Sequence, residues 1–231
     1  MKFINQVNTI FFDLDHTLWD FEKNSSLAFK NIFNNRSFPF SHSKFLTFYI
    51  PINHKYWDYY SENKISAEQL RTIRLKETFK ALKFNSTAKF IDEISCEYMK
   101  TLPTQTFLFE GVIDLLKHLK PKYNLHIITN GFEDVQYMKL KNSKILTYFD
   151  KIINPENSLA KKPNSKIFNY ALSLVKENPK NCLMIGDDFF ADVMGALNVG
   201  MNAIHFNSTN EPKHEKCTIV NSIKELHKLL N

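Results

Sequence analysis

The chain has 231 residues, of which 43% are hydrophobic and 23% charged, and carries a formal net charge of +6. That length can bury a substantial core as one α/β domain, or as a core domain carrying one insert, and excludes a mini-protein. A mean hydropathy of -0.33, with no run near the ~20 apolar residues of a spanning helix, excludes both a disordered chain and a membrane protein.

The basic balance raises a nucleic-acid polymer as a partner. Against it stand only three arginines, Arg36, Arg71 and Arg74, and no recognised binding motif. Cys96, Cys182 and Cys217 lie far apart with no C-x-x-C, which predicts neither a disulfide framework nor a zinc site. Together with an N-terminal segment that lacks an apolar leader, this predicts a reduced, cytoplasmic location.

In chain order, the first strand signal is Thr9-Ile10-Phe11-Phe12, which ends abruptly in Asp13-Leu14-Asp15-His16-Thr17. Residues 21–103 then lack strand rhythm and read as four or five helices. Phe45, Tyr49, Ile52, Tyr56 and Tyr60 form one apolar stripe, with Pro51 expected to kink or interrupt it. Ser66-Ala67-Glu68-Gln69 is a capping box for a helix carrying Leu70, Ile73, Phe79 and Leu82, and Phe90, Ile94 and Tyr98 mark another. Four more apolar runs follow, at 125–128, 151–153, 182–185 and 203–206, alternating with helical patterns at 112–119, 133–146, 165–175 and 191–199. A last helix is expected at 223–230, and Gly200 reads as a helix C-cap. Strand and helix alternating at these lengths predict right-handed βαβ units and a parallel sheet.

Ligands of open parallel sheets bind outside the carboxyl ends of the strands. The polar residues there are Asp13 and Asp15 after the first run, Thr129, Asn130 and Gly131 after the second, and Gly186, Asp187 and Asp188 after the fourth. Asp192 lies one turn further on, and Lys161-Lys162-Pro163 precedes the 165–175 helix. Converging carboxylates repel one another and call for a cation. A hard Mg²⁺ ion bound by one or two carboxylates and a substrate phosphate answers that demand. One carboxylate can then attack phosphorus, while Thr129, backbone N–H groups and one of Lys161 and Lys162 neutralise the phosphoryl oxygens.

Taken together, Asp13-Leu14-Asp15-His16-Thr17, Thr129, Lys162-Pro163 and Gly186-Asp187-Asp188-Phe189-Phe190-Ala191-Asp192 resemble the four motifs of haloacid dehalogenase superfamily phosphatases, in family order and across nearly the whole chain. The resemblance implies a Rossmann-like parallel sheet core with helices on both faces, formed by residues 1–20 and 104–231, and an inserted all-helical cap at 21–103. It implies Asp13 as nucleophile and Asp15 as general acid and base. It also implies Mg²⁺ on the Asp13 carboxylate, the Asp15 carbonyl and Asp187, with Thr129, Asn130 and Lys162 binding phosphate. Asp188 or Asp192 is left to hold metal waters or orient Lys162. A carboxyl group at Asp15 favours phosphate esters over halogenated acids, because the dehalogenase branch needs no acid there.

A narrower resemblance, over Phe11 to Phe21, Ile127 to Phe132, Lys162 to Asn164 and Ile167-Phe168, points to the bacterial noncanonical pyrimidine nucleotidases and so to a nucleoside 5'-monophosphate. Leu159, where relatives usually have glycine, and Asp188, where a small polar residue is frequent, depart from that pattern. Phosphoglycolate or sugar-phosphate hydrolysis and a phosphomutase reaction remain open, because the cap chooses the substrate. A monomer or weak homodimer is expected, with no membrane and no nucleic-acid polymer as partner.

Bare Asp-x-Asp sequences are mostly caps or turns, Thr129-Asn130-Gly131 alone would be a turn, and the aromatic stripe reads first as helical core. Trp19, Phe21, Trp57 and Tyr59 are the flat side chains available to stack on a base. Residues 21–103 hold 13 of the 30 Lys and Arg but 8 of the 24 Asp and Glu. The basic excess therefore belongs to the insert, which suits a small phosphorylated anion better than a polymer.

Overall fold

In the computed structural model, which describes residues 6–208 and 211–231, the run Thr9–Phe12 forms strand β1 in the middle of a parallel sheet. β2 (Asn124–Ile128) and β3 (Lys151–Ile153) lie to one side, and β4 (Cys182–Gly186), β5 (Asn202–Phe206) and β6 (Thr218–Val220) to the other. The order is β3-β2-β1-β4-β5-β6, and every pairing is parallel. Every residue of β1 and β4 is buried, as expected of strands covered by helices on both faces.

Register positions the site. Phe12 is level with Ile127 and with Ile185, so the residues that follow β1, β2 and β4 leave the sheet at one edge. The ladder continues past the strands, with the Asp13 amide donating to the Ile185 carbonyl at 2.9 Å and the Thr129 amide to the Ile153 carbonyl at 2.9 Å.

The chain divides into two compact units, one holding residues up to Phe21 with Thr106–Asn231, the other Glu22–Gln105. The second is all helical, built from α1 (Phe21–Asn35), α2 (His42–Ser61), α3 (Ala67–Ala81) and α4 (Ala88–Thr101). The sheet unit carries α5 (Val112–Leu119), α6 (Glu133–Asn142), the short α7 (Pro155–Ser158), α8 (Ser165–Val175), the short α9 (Gly195–Leu197) and α10 (Ile223–Leu229). α8 buries Ile167, Phe168, Ala171 and Leu172 in a cluster with Phe11, Ile128, Cys182 and Met184. Full burial of each large side chain there contributes about 1.5–3 kcal/mol.

Four expectations change. β6 was not foreseen: it is a three-residue edge strand with too little apolar run to stand out. The helix expected over 133–146 ends at Asn142, and Leu146–Tyr148 forms a separate 3₁₀ turn. The stretch expected to be helical from 191 begins earlier, as a π-helical segment at Phe189–Met194. Pro51 does not interrupt α2. It lies on the exposed face together with Thr47, so the carbonyl that loses its intrahelical donor faces water.

Within the helical unit, Phe45, Tyr49, Tyr56 and Tyr60 are buried as the stripe predicts, with Asn53 in place of Ile52. The Ser66–Gln69 capping box is formed in both directions. Along α3, Ile73 and Leu82 are only half-buried, while Arg74, Leu75 and Thr78 join Leu70 and Phe79 inside. Arg74 is tolerated there because it donates to Asn53 Oδ1 at 2.8 Å and lies over the Tyr98 ring. Gly200, at φ +83, caps the turn after α9 as expected, donating to the Leu197 carbonyl.

Candidate active site

Asp13, Lys162 and Asp192 form a buried chain of charge at the carboxyl edge of the sheet. Lys162 Nζ donates to Asp13 Oδ1 at 2.5 Å, to Asp192 Oδ1 at 2.6 Å and to the Ile128 carbonyl at 2.9 Å. Burial pushes the Asp13 carboxyl up to about 8: the Lys162 ammonium pulls it down, and Asp192 and Asp15 push it up again. Burial alone would lower the Lys162 ammonium, but Asp13 and Asp192 outweigh it and raise it above the usual lysine range. Of the two carboxylates left open for Lys162, Asp192 is the one in contact. The approach depends on Gly186, where an added Cβ would fall 2.1 Å from Asp192 Oδ2.

Asp188 is engaged otherwise. Its carboxylate caps the π-helical segment, accepting from the amides of Phe190 at 2.8 Å and Ala191 at 2.7 Å. Its own amide donates to Asp192 Oδ2 at 3.1 Å. The Asn130 side chain is likewise turned to the main chain of Lys162, accepting from its amide at 2.8 Å and donating to its carbonyl at 3.0 Å. The Asn130 side chain therefore braces the lysine loop, whose Lys162–Pro163 peptide is cis.

Asp15 lies against α6. Lys139 Nζ donates to Oδ1 at 2.7 Å and to Oδ2 at 2.9 Å, and Gln136 Nε2 donates to Oδ2 at 2.9 Å. The same Gln136 Nε2 reaches Thr129 Oγ1 at 2.6 Å, which also accepts from the Gly131 amide at 3.0 Å. Lys139 is buried and sits 4.4 Å from the Trp19 ring centroid. Neither Gln136 nor Lys139 was singled out from sequence. Their signal was a three-residue spacing on the helix that follows Thr129, the same spacing any helix face shows. Trp19 is wholly buried, so it is no platform for a base.

Asp187 completes the acidic set. Its Oδ1 accepts from Thr17 Oγ1 at 3.1 Å, and its carbonyl accepts from Nε2 of the fully buried His205 at 2.7 Å. Burial, with Asp13 and Asp192 nearby, raises its carboxyl well above the usual range. Asp13, Asp187 and Asp192 each present an oxygen within 4.8 Å of the others. Both Asp192 oxygens are already engaged, by Lys162 and by the Asp188 amide. Asp13 and Asp187 are the pair that each keep a carboxylate oxygen accepting no hydrogen bond among the described residues, and an all-oxygen donor set with unfavourably crowded charge fits a hard divalent cation.

The chain matches the family described as haloacid dehalogenase-like hydrolase over residues 10–206. It is 28% identical to pyrimidine 5'-nucleotidase YjjG of Escherichia coli, over 95% of each chain. It is 27% identical to pyrimidine 5'-nucleotidase PynA of Streptococcus pneumoniae, over 89% of this chain and 86% of that one. Among solved structures it resembles YfnB of Bacillus subtilis bound to magnesium, with a TM-score of 0.88 at 24% identity over 97% and 98% of the two chains.

Proposed function

Because the chain belongs to the haloacid dehalogenase-like hydrolases, we propose that it is a Mg²⁺-dependent phosphatase that cleaves a small phosphate monoester through an aspartyl-phosphate, with a pyrimidine nucleoside 5'-monophosphate as substrate. The observation that carries this reading is the pairing of a buried Asp13–Lys162–Asp192 chain with a second, partly exposed carboxylate at Asp15. One group can attack phosphorus while the other handles protons. The names of YjjG and PynA support the substrate class.

Asp13 supplies the attacking oxygen. As its bond to phosphorus forms, the bond from phosphorus to the leaving oxygen breaks, and Asp15 delivers a proton to that oxygen. Water then attacks the phosphorus of the aspartyl-phosphate and gives its proton to Asp15, which frees Asp13. Lys162, oriented by Asp192, and the Thr129 hydroxyl stabilise charge on the phosphoryl oxygens. Mg²⁺ on Asp13, the Asp15 carbonyl and Asp187 would neutralise the crowded carboxylates and polarise the phosphoryl group.

The test is phosphate release from pyrimidine and purine 5'-monophosphates, sugar phosphates, phosphoglycolate and an aryl phosphate, with and without EDTA, beside halide release from 2-chloropropionate. Mg²⁺-dependent turnover, best on pyrimidine 5'-monophosphates and at least about 10³-fold lower in Asp13→Asn, supports the reading. Halide release, or inactivity toward every phosphate, overturns it.

A further inference from the structure

Thr129 Oγ1 accepts two N–H groups, from Gln136 at 2.6 Å and from Gly131 at 3.0 Å. A hydroxyl has two lone pairs and one proton. With both lone pairs engaged, its proton is left to donate to a further acceptor, such as a phosphoryl oxygen bound at the carboxyl edge. The orientation of the Gln136 amide is set by Asp15, because the opposite flip would place its oxygen against Asp15 Oδ2, which can only accept. Gln136 is wholly buried. It lies so close across the turn that a Cβ on Gly131 would come within 2.4 Å of Nε2.

One helical turn on, Lys139 holds both oxygens of Asp15 and is itself held beside the Trp19 and Phe21 rings, at 4.4 and 5.4 Å from their centroids. Aromatic faces favour a cation there, and the lysine side chain is 3% exposed. Gln136 and Lys139 thus tie the carboxylate after β1 to the hydroxyl after β2. The two groups are linked through one amide nitrogen.

We propose that Gln136 and Lys139 are positioning residues for phosphoryl transfer: Gln136 commits the Thr129 hydroxyl to donate to the phosphoryl group, and Lys139 with Gln136 fixes Asp15 where it can reach the leaving oxygen. This rests on the phosphatase reading above. It has a consequence that a merely structural role lacks. An alkyl leaving group such as a nucleoside needs a proton as it departs, whereas p-nitrophenolate does not, so misplacing Asp15 harms the two first steps unequally.

Wild type, Lys139→Met, the milder Lys139→Gln, Lys139→Arg and Gln136→Leu are compared on uridine 5'-monophosphate and p-nitrophenyl phosphate with Mg²⁺. Binding of inorganic tungstate, a phosphate mimic, is measured alongside by calorimetry. Lys139→Met and Lys139→Gln are expected to lose about 10²-fold or more in kcat on the nucleotide. They should keep the first-turnover burst of nitrophenolate within about tenfold of wild type, and Lys139→Arg should recover most of the loss. Gln136→Leu is expected to weaken tungstate binding about tenfold or more. Equal losses on both esters, unchanged nucleotide turnover, or unaltered tungstate binding in Gln136→Leu would overturn the proposal. Should wild type be inert on every phosphate, the phosphatase reading fails by itself, and the tungstate comparison still decides the role of Gln136.

Discussion

Lys162 and Asp192 meet at 2.6 Å with side chains only 3% and 1% exposed. Removing one member of such a pair leaves the other charge buried, which costs about 3–5 kcal/mol where no second partner exists. Here Asp13 is the second partner of Lys162, so the loss is cushioned. Asp192→Asn keeps the shape and an acceptor oxygen but frees Lys162 to swing toward Asp13. Expected outcomes are a melting temperature lowered by several degrees and kcat lowered about 10²-fold, with the same preference order across the substrate panel. Calorimetry and steady-state kinetics check them, and wild-type kcat would mean that Asp192 does not orient the lysine.

Crowded carboxylates at Asp13 and Asp187 make cation binding visible without turnover. A ligand that binds only the folded state stabilises it by about 2.7 kcal/mol at one hundred times its dissociation constant, so millimolar Mg²⁺ should raise the melting temperature. Asp187→Asn removes one charged donor and relieves repulsion around Asp13. The variant should therefore melt no lower than wild type without metal and lose most of the Mg²⁺-induced shift. A full shift in the variant would place the cation elsewhere.

The motif carboxylates were legible because each follows an apolar run, and the register of β1 with β2 and β4 brings those ends to one edge. Asp188 and Asp192 were not separable by spacing, since both follow β4 and stand one helical turn apart on the same segment. Only the capping bonds of Asp188 show which carboxylate is free to meet Lys162. Lys139 was hidden for a different reason. In the last turn of α6 it reads as a charge placed to suit the helix dipole, and its partner Asp15 is distant in sequence. The bracing contacts of the Asn130 amide were hidden because they pair it with a backbone segment that sequence does not bring near. That α2 continues through Pro51 was hidden because interruption depends on which face of the helix the proline occupies.

His126, on β2, is 4% exposed beside the Phe11 ring, and neither of its ring nitrogens meets a hydrogen-bond partner among the described residues. Burial lowers it to about 4, with Asp150 opposing and Lys120 and Lys151 assisting. An unfolded histidine titrates near 6.5. Between about pH 6.5 and 4 the unfolded chain therefore binds a proton that the folded chain does not, and stability falls as pH falls through that window. From pH 7 to pH 5 the loss from this residue is about 2 kcal/mol. Urea unfolding at the two pH values should show a drop smaller by about that amount in His126→Leu; equal drops in the two proteins would mean that His126 does not titrate as the burial implies.

Leu159 adopts φ +55 with 88% of its surface exposed, directly after α7. A residue with a Cβ pays about 1–2 kcal/mol for the left-handed region, and this side chain recovers little of that by packing. Glycine there relieves the strain but adds about 0.5–1 kcal/mol of unfolded-state freedom, so Leu159→Gly should gain roughly 0.5–1 kcal/mol. At this chain length that is a rise of about 1–4 °C in melting temperature. Leu159→Ala keeps the Cβ and the strain and should gain nothing. The comparison separates backbone relief from removal of an exposed apolar side chain: a rise of equal size in both variants would assign the effect to the side chain instead.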